Sequence, residues 1–227
     1  MEELSRLKLL IGVEKVEQLK NKTVLILGLG GVGGYVVEAL VRSGVGHLIL
    51  VDYDVIDITN MNRQIIASKS NIGKSKVKAW KERIDSISNI KTTIIEMRIT
   101  QENITSLFQE SIDYAIDACD TVTVKFEFIK YCLKENIPFV TCLGTGKRLD
   151  ASKVEITELM KTENDPIAKI LRKKVREEKI RQKIPVIYSK EVPKKIEGNV
   201  IASSIFVPSC AGILAANLAF QTLLEGE

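Results

Sequence analysis

The sequence predicts an α/β fold in which a mostly parallel central sheet is flanked by helices and extended by a C-terminal segment. Three observations carry that prediction. Short β-rich apolar runs alternate with amphipathic stretches over the first two thirds of the chain, the pattern of strand-helix-strand units. A glycine-rich turn, residues 28–34, joins the first of these runs to the first helix. The composition, 45% hydrophobic and 27% charged over 227 residues, is that of an ordinary globular domain and excludes disordered, collagenous and disulfide-scaffold chains.

The elements follow in order. Residues 23–27 (Thr-Val-Leu-Ile-Leu) read as the first strand and 32–43 as its helix. Residues 47–51 are the second strand, with the single histidine, His47, as its first residue rather than a metal ligand or a catalytic base. A helix is expected over 74–88, strands over 92–95 and 114–117, a helix over 124–136 and a strand over 138–143. Beyond Gly146 the character changes. Residues 153–159 suit one more strand, and Asp165-Pro166 opens a long charged helix to about Gln182, with Asp as the cap and Pro in the first turn. A returning strand is expected over 200–207 and a final helix over 211–224. Residues 198–224 carry no charge, a length that could suggest a membrane span. Pro208 is expected to break that run, which leaves a buried core helix, with peripheral membrane contact as the other reading.

The four cysteines, Cys119, Cys132, Cys142 and Cys210, form no C-x-x-C pair, which excludes a zinc knuckle or a thioredoxin-type site. They read as reduced thiols of a cytoplasmic protein. Residues 1–20 carry charges throughout and offer no apolar signal segment.

The chemistry begins at Gly28, Gly30, Gly31 and Gly33, which follow a strand and open a helix. Glycine allows a tight turn and close backbone approach, and a helix N-terminus offers free N–H groups to phosphate. Asp52 ends the next strand, where a carboxylate can accept ribose hydroxyls. These features alone suit a nicotinamide-dependent oxidoreductase as well as an ATP enzyme. The following loop chooses between them: Asp54, Asn60, Asn62, Arg63 and Gln64, then Lys76, then Asp120. A dehydrogenase does not need cations there, whereas a leaving pyrophosphate builds negative charge that preorganised Arg or Lys stabilises. Asp120 falls just past a strand's C-terminal end, and one carboxylate together with phosphate oxygens suffices to hold Mg²⁺.

This ordered set, G-x-G-G-V-G, D-x-D, N-x-N-R-Q, G-x-x-K and D-x-x-D, resembles the HesA/MoeB/ThiF superfamily, relatives of the ubiquitin-activating enzymes that adenylate carboxylates. The resemblance runs from Leu19 to about Leu143. It implies a Rossmann-like ATP-binding fold and a single adenylating domain over 1–227, with a nucleotide half over 1–146 and a substrate and dimer half over 147–227. It also implies that the glycine turn and Asp52 bind ATP, that Arg63 and Lys76 neutralise its phosphates as catalytic groups, and that Asp120 organises Mg²⁺. A homodimer is implied as well, with Arg6 as the candidate to reach the partner's nucleotide, against its reading as a neutral exposed residue. The stretch from Val140 to Gly146, with Leu149-Asp150 and Asp165-Pro166, looks like the tRNA threonylcarbamoyladenosine dehydratase branch. That branch implies tRNA as substrate, a sodium or potassium ion, and association with a cysteine-desulfurase sulfur-acceptor system. The implied reaction is adenylation of a threonyl carboxylate followed by ring closure with loss of water.

Residues 161–195 hold twelve Lys or Arg against five Asp or Glu, a net of +7 in a chain whose total is +4, which leaves −3 for the remainder. Such a segment serves either as a solvated face or as a seat for a polyanion such as tRNA. Cys119 and Cys210 are the candidates for a thiol that accepts the acyl group, against the reading of both as inert packing. The alternative substrate is the C-terminal carboxylate of a ubiquitin-like sulfur-carrier protein.

Overall fold

A computed structural model of the chain describes residues 3–197 and 201–225. Helices α1 (Ser5–Ile11) and α2 (Val13–Leu19) precede a seven-stranded sheet. Its strands are β1 (Thr23–Leu27), β2 (His47–Val51), β3 (Lys91–Ile95), β4 (Tyr114–Asp117), β5 (Phe139–Cys142), β6 (Val154–Glu158) and β7 (Pro185–Ser189). They lie in the order β3-β2-β1-β4-β5-β7-β6. Every neighbouring pair is parallel except β6 with β7, which closes one edge antiparallel. The mostly parallel sheet predicted from the alternation is thus present.

Central strands of such a sheet are apolar on both faces because both faces are covered. Alternate residues of β1 divide between two cores. Val24 and Ile26 face the core closed by α3 (Gly33–Arg42), α4 (Lys76–Asp85) and α7 (Phe206–Glu225), where the Trp80 ring is fully buried. Leu25 and Leu27 face the other, closed by α5 (Val122–Lys134) and α6 (Pro166–Glu177). The strand order reverses beside β1: β2 lies on one side and β4 on the other, and the helices that follow β1 and β4, α3 and α5, pack on opposite faces of the sheet. A crevice opens at the carboxyl ends of the strands, where open α/β sheets bind ligands.

His47 is the strand-start residue expected of it. It is buried, with Nδ1 at 3.3 Å from Thr23 Oγ1 and Nε2 at 2.9 Å from Thr93 Oγ1. Burial holds its pKa below the usual imidazole value.

The C-terminal part departs from expectation in several places, beginning with α6, which ends at Glu177 rather than near Gln182. The strand expected over 200–207 is absent over its described residues, and Val200 lies outside them. The backbone there has other partners: the Lys147 N–H donates to Ala202 O at 2.7 Å, and Asn62 Nδ2 donates to Ser203 O at 2.9 Å. The strand beside β5 is instead β7, for which the sequence reading assigned no element. Pro185 is its first residue, a position where a missing N–H is tolerated. The last helix starts at Phe206 rather than at residue 211, because Pro208 stands in its first turn, where an N–H has no intrahelical partner to lose. By length and composition α7 could cross a membrane. Here a stripe of small residues, Ala211, Ala215 and Ala219, is fully buried in the core that it shares with α3 and the sheet, the packing of a core helix.

Candidate functional site

The crevice at the strand ends is a cavity of about 560 Å³, within the range of small-molecule and cofactor sites. Its floor is the turn between β1 and α3. Gly28 has φ +89°, and a Cβ there would lie 2.8 Å from Cys119 N, so only glycine allows the turns after β1 and β4 to touch. Gly33 begins α3, and any side chain would overlap the Gly28 carbonyl oxygen. Gly33 therefore shapes the turn from below, while Gly28, Gly30 and Gly31 line the cavity itself.

Asp52, at the end of β2, is buried and braces this turn. Its Oδ2 accepts from the Leu29 N–H at 2.7 Å and its Oδ1 from the Asp54 N–H at 2.9 Å. The carboxylate thus fixes the glycine turn and its own loop in one arrangement, at the rim where a ribose would sit. Lys76 is the first residue of α4 and is almost wholly buried. Its Nζ lies 2.8 Å from Asp54 Oδ2 and 3.9 Å from Asp52 Oδ2. Asp54 is half-exposed, so Lys76 has one solvent-accessible acidic neighbour and an ammonium at the cavity wall.

The loop after β2 is folded by its own amides. Asp57 and Asn60 form a reciprocal capping box around the 3₁₀ turn Ile58–Asn60: Asp57 Oδ1 accepts from the Thr59 N–H at 2.8 Å, and Asn60 Oδ1 accepts from the Asp57 N–H at 3.0 Å. The next turn carries Arg63, whose NH1 donates to Thr59 O at 2.8 Å and to Asn62 Oδ1 at 3.0 Å. Asn62 itself does not line the cavity; it ties this loop to Ser203. Arg63 does line it, against Gly31. Gln64 lines it too, and its buried Oε1 has no hydrogen-bond partner. An orphaned acceptor beside a cavity is a candidate partner for a ligand donor.

Asp120 stands exposed on the opposite rim, its Oδ1 at 3.4 Å from the Thr121 hydroxyl. Among the described residues no group of three His, Cys, Asp or Glu could hold a metal alone. A lone carboxylate facing a phosphate cradle suits Mg²⁺, which takes its remaining ligands from phosphate and water.

Two constellations were not anticipated. Beneath the rim, Asp117 and Lys125 are a sealed ion pair, 0% and 1% exposed. Lys125 Nζ donates to Asp117 Oδ2 at 2.9 Å and to Cys142 O at 2.6 Å; the Thr141 hydroxyl also donates to Asp117 Oδ2, and Asp117 Oδ1 accepts from the Cys119 N–H at 3.0 Å. Burial opposes the ammonium, but the Asp117 charge beside it holds the Lys125 pKa up. The pattern did carry a signal, a lone lysine between Val124 and Phe126 on an otherwise apolar helix face. The second is Arg148, buried among the loops behind Gly144, for which nothing in the local pattern gave notice.

The two candidate thiols are poorly placed for nucleophilic work. Cys119 lines the cavity, but burial and the Asp117 carboxylate push its pKa well up. Cys210 is absent from the cavity lining; burial raises its pKa as well, and Sγ contacts Ala151 O at 3.6 Å. All four cysteines are free.

A doubly wound sheet with a glycine turn, an acidic strand end and cations over one crevice defines a nucleotide-binding α/β protein. The chain belongs to the ThiF family, whose model matches residues 4–223. It is 40% identical to the tRNA threonylcarbamoyladenosine dehydratase of Bacillus subtilis, over 99% of this chain and 96% of that protein. It is 29% identical to the molybdopterin-synthase adenylyltransferase of Salmonella typhimurium, over 70% of this chain and 61% of that protein. Among solved structures it is similar to the tRNA N6-threonylcarbamoyladenosine dehydratase TcdA of E. coli in complex with ATP. The TM-score is 0.92 at 28% identity, covering 98% of this chain and 94% of that one.

Proposed function

We propose that this chain is an ATP-dependent tRNA-modifying enzyme that adenylates the threonyl carboxylate of threonylcarbamoyladenosine in tRNA and closes it into a ring with loss of water. The observation that carries the reading is the near full-length likeness to proteins of that name and to one such protein in complex with ATP, together with a cavity whose donor set suits a triphosphate. The whole chain acts as one adenylating unit, residues 1–146 holding the nucleotide and 147–227 completing the substrate side.

In this reading Gly28, Gly30 and Gly31 present backbone to the phosphates, and Gly33 lets α3 start close beneath them. Asp52 accepts ribose hydroxyls, and Gln64 Oε1 gains the donor it lacks. Asp54, Asn60 and Asn62 hold the loop that carries Arg63. Arg63 and Lys76 neutralise the charge that develops as pyrophosphate leaves; Lys76 exchanges its contact with Asp54 for a phosphate oxygen. Asp120 would hold Mg²⁺, which supplies charge neutralisation on the phosphates when bound. The free carboxylate attacks the α-phosphorus, the bond to pyrophosphate breaks, and an acyl-adenylate results. An internal nitrogen then attacks the activated carbonyl and expels AMP, so the oxygen lost as water leaves on the nucleotide. The second step has the advantage of an intramolecular reaction.

The exposed face of α6 carries Lys169, Lys173 and Arg176 and begins beside the cavity, where Ile167 lines the wall. It suits the backbone of a tRNA whose modified base enters the cavity. A homodimer accords with α1, which buries none of its own residues and leaves Leu9 88% and Leu10 81% exposed next to Arg6. A cytoplasmic location accords with the free thiols; association with a sulfur-acceptor system rests on the resemblance alone, and α7 is already packed as a core helix. For a resident sodium or potassium ion the residues fit poorly, because the Arg148 guanidinium already occupies the carbonyl cage behind Gly144.

The test is incubation of the protein with ATP, Mg²⁺ and tRNA carrying threonylcarbamoyladenosine, followed by nucleoside mass spectrometry and an AMP assay. Loss of one water with release of AMP is the expected result. An unchanged nucleoside, with AMP transferred instead to the terminal carboxylate of a sulfur-carrier protein, would overturn it in favour of the protein substrate.

A further inference from the structure

Three backbone segments meet behind the cavity loop Gly144-Thr145-Gly146, and Arg148 is the cation at their junction. Its Nε donates to Glu191 O at 2.9 Å, NH1 to Gly144 O, and NH2 to Asn164 O at 3.3 Å and to Asp165 Oδ2 at 3.3 Å. The guanidinium is 2% exposed and the Asp165 side chain 0%. Three backbone carbonyls and one carboxylate around a dry centre are the oxygen set that a hard monovalent cation would seek. The chain takes trouble to assemble it. Lys147 and Asn164 both adopt left-handed backbone, φ 61° and 54°, a conformation that costs the lysine more than the asparagine, and Asn164 thereby presents its carbonyl to the cage.

We infer that the Arg148 guanidinium is a built-in cation that closes this carbonyl cage, so that the cavity loop 144–146 and the start of α6 are organised without bound sodium or potassium. The link to α6 is direct: the carboxylate that pairs with Arg148 also caps that helix, Asp165 Oδ1 accepting from the Ala168 N–H at 2.8 Å. One side chain therefore sets both the wall of the nucleotide cavity and the entry of the basic helix. Arg148 is a positioning residue; it touches loop backbone rather than the cavity interior.

The experiment uses the full chain and does not require turnover on tRNA, so it succeeds or fails independently of the proposed reaction. Melting temperature and ATP affinity are measured in chloride salts of potassium, sodium and choline at equal ionic strength, for the wild type and for Arg148→Ala. The wild type is expected to give the same values in all three. Arg148→Ala is expected to melt about 10 °C lower in choline and to bind ATP about tenfold more weakly, with recovery when potassium, sodium or millimolar methylguanidinium is added. A wild type whose melting temperature or ATP affinity falls in choline would overturn the inference, and that arm stands even if the variant fails to fold. A folded Arg148→Ala with wild-type stability and ATP affinity in choline would overturn it as well, as would a loss that none of the three cations reverses.

Discussion

Lys76 and Lys125 are both buried lysines, and each lies within 2.9 Å of an aspartate oxygen, yet they are built for opposite purposes. Lys76 pairs with Asp54, whose side chain is 47% exposed, so the pair sits at a wall of the cavity and its acid can turn to water. Lys125 pairs with an acid that is itself sealed, and it spends a second proton on Cys142 O. The first pair can be opened by a phosphate; the second cannot be opened without unfolding the ends of β4 and β5. The difference teaches that a buried Lys-Asp contact is a ligand site only where one partner keeps access to solvent, and the two lysines should therefore fail in different currencies.

The largest effects belong to the open side. Arg63→Ala and Asp120→Ala are each expected to lower pyrophosphate release by roughly a hundredfold or more, the scale of losing one preorganised group at a site of developing charge. Both side chains are surface groups of the cavity, so melting curves should stay within about 0.5 kcal/mol of wild type. Lys76→Met belongs to the same class, with the loss concentrated in ATP affinity. Normal turnover in any of the three would remove that residue from the site.

Lys125→Met reverses the pattern. It strands the Asp117 carboxylate without water, and leaving one partner of a buried ion pair unpaired costs about 3 to 5 kcal/mol. Urea denaturation should show that loss, and Lys125→Met with Asp117→Asn should recover part of it because the orphan charge is gone. A single variant with wild-type stability would show that the pair is not sealed in solution.

Why one lysine was foreseen and the other was not has a physical reason. The nucleotide half is built from local signals: a strand period of two, a helix period near four, and glycines at turns that only glycine can make. Gly28, Asp52, Arg63 and Lys76 follow one another along two successive crossover units, each fixed by its own local pattern, so their meeting at one crevice could be read before any coordinates. Lys125 does interrupt an apolar helix face, but the pattern does not name Asp117, at the end of the preceding strand, as its partner. Arg148 meets Asn164 and Glu191 through the packing of segments 16 and 43 residues apart, and no periodicity records such contacts. The same holds for residues 201–207, whose β-rich composition promised a strand. Their backbone instead serves Lys147 and Asn62, and β7 takes the place beside β5. Pro208 was misread for the converse reason: its effect depends on whether it falls in the first turn or the interior of a helix, a boundary that composition leaves open.

The basic helix gives a smaller and more distributed effect. Replacing Lys169, Lys173 and Arg176 together by Gln should weaken tRNA binding by about ten- to a hundredfold near physiological salt and flatten the dependence of affinity on salt concentration, since each lost phosphate contact removes roughly one unit of slope. ATP binding should be unchanged, because these side chains lie on the outer face of α6. An unaltered slope would return that face to plain solvation.

The smallest expected effect is at the thiols, and it bears on whether the acyl-adenylate passes through a covalent enzyme intermediate. A thiol reacts as its thiolate, and the fraction ionised falls tenfold for each unit by which the pKa rises above ambient pH. Burial with the Asp117 carboxylate raises Cys119 and outweighs the opposing Lys125 charge, and burial raises Cys210, so both are protonated at neutral pH. Cys119→Ser and Cys210→Ser should each retain turnover within about twofold, since removing a group that does no chemistry changes the barrier by well under 1 kcal/mol. Resistance of the wild type to iodoacetamide at pH 7 should accompany that result. Loss of ring closure with acyl-adenylate formation intact, in either variant, would instead identify a thioester step, and the acceptor would then be a thiol that the enzyme ionises only when ATP and tRNA are bound.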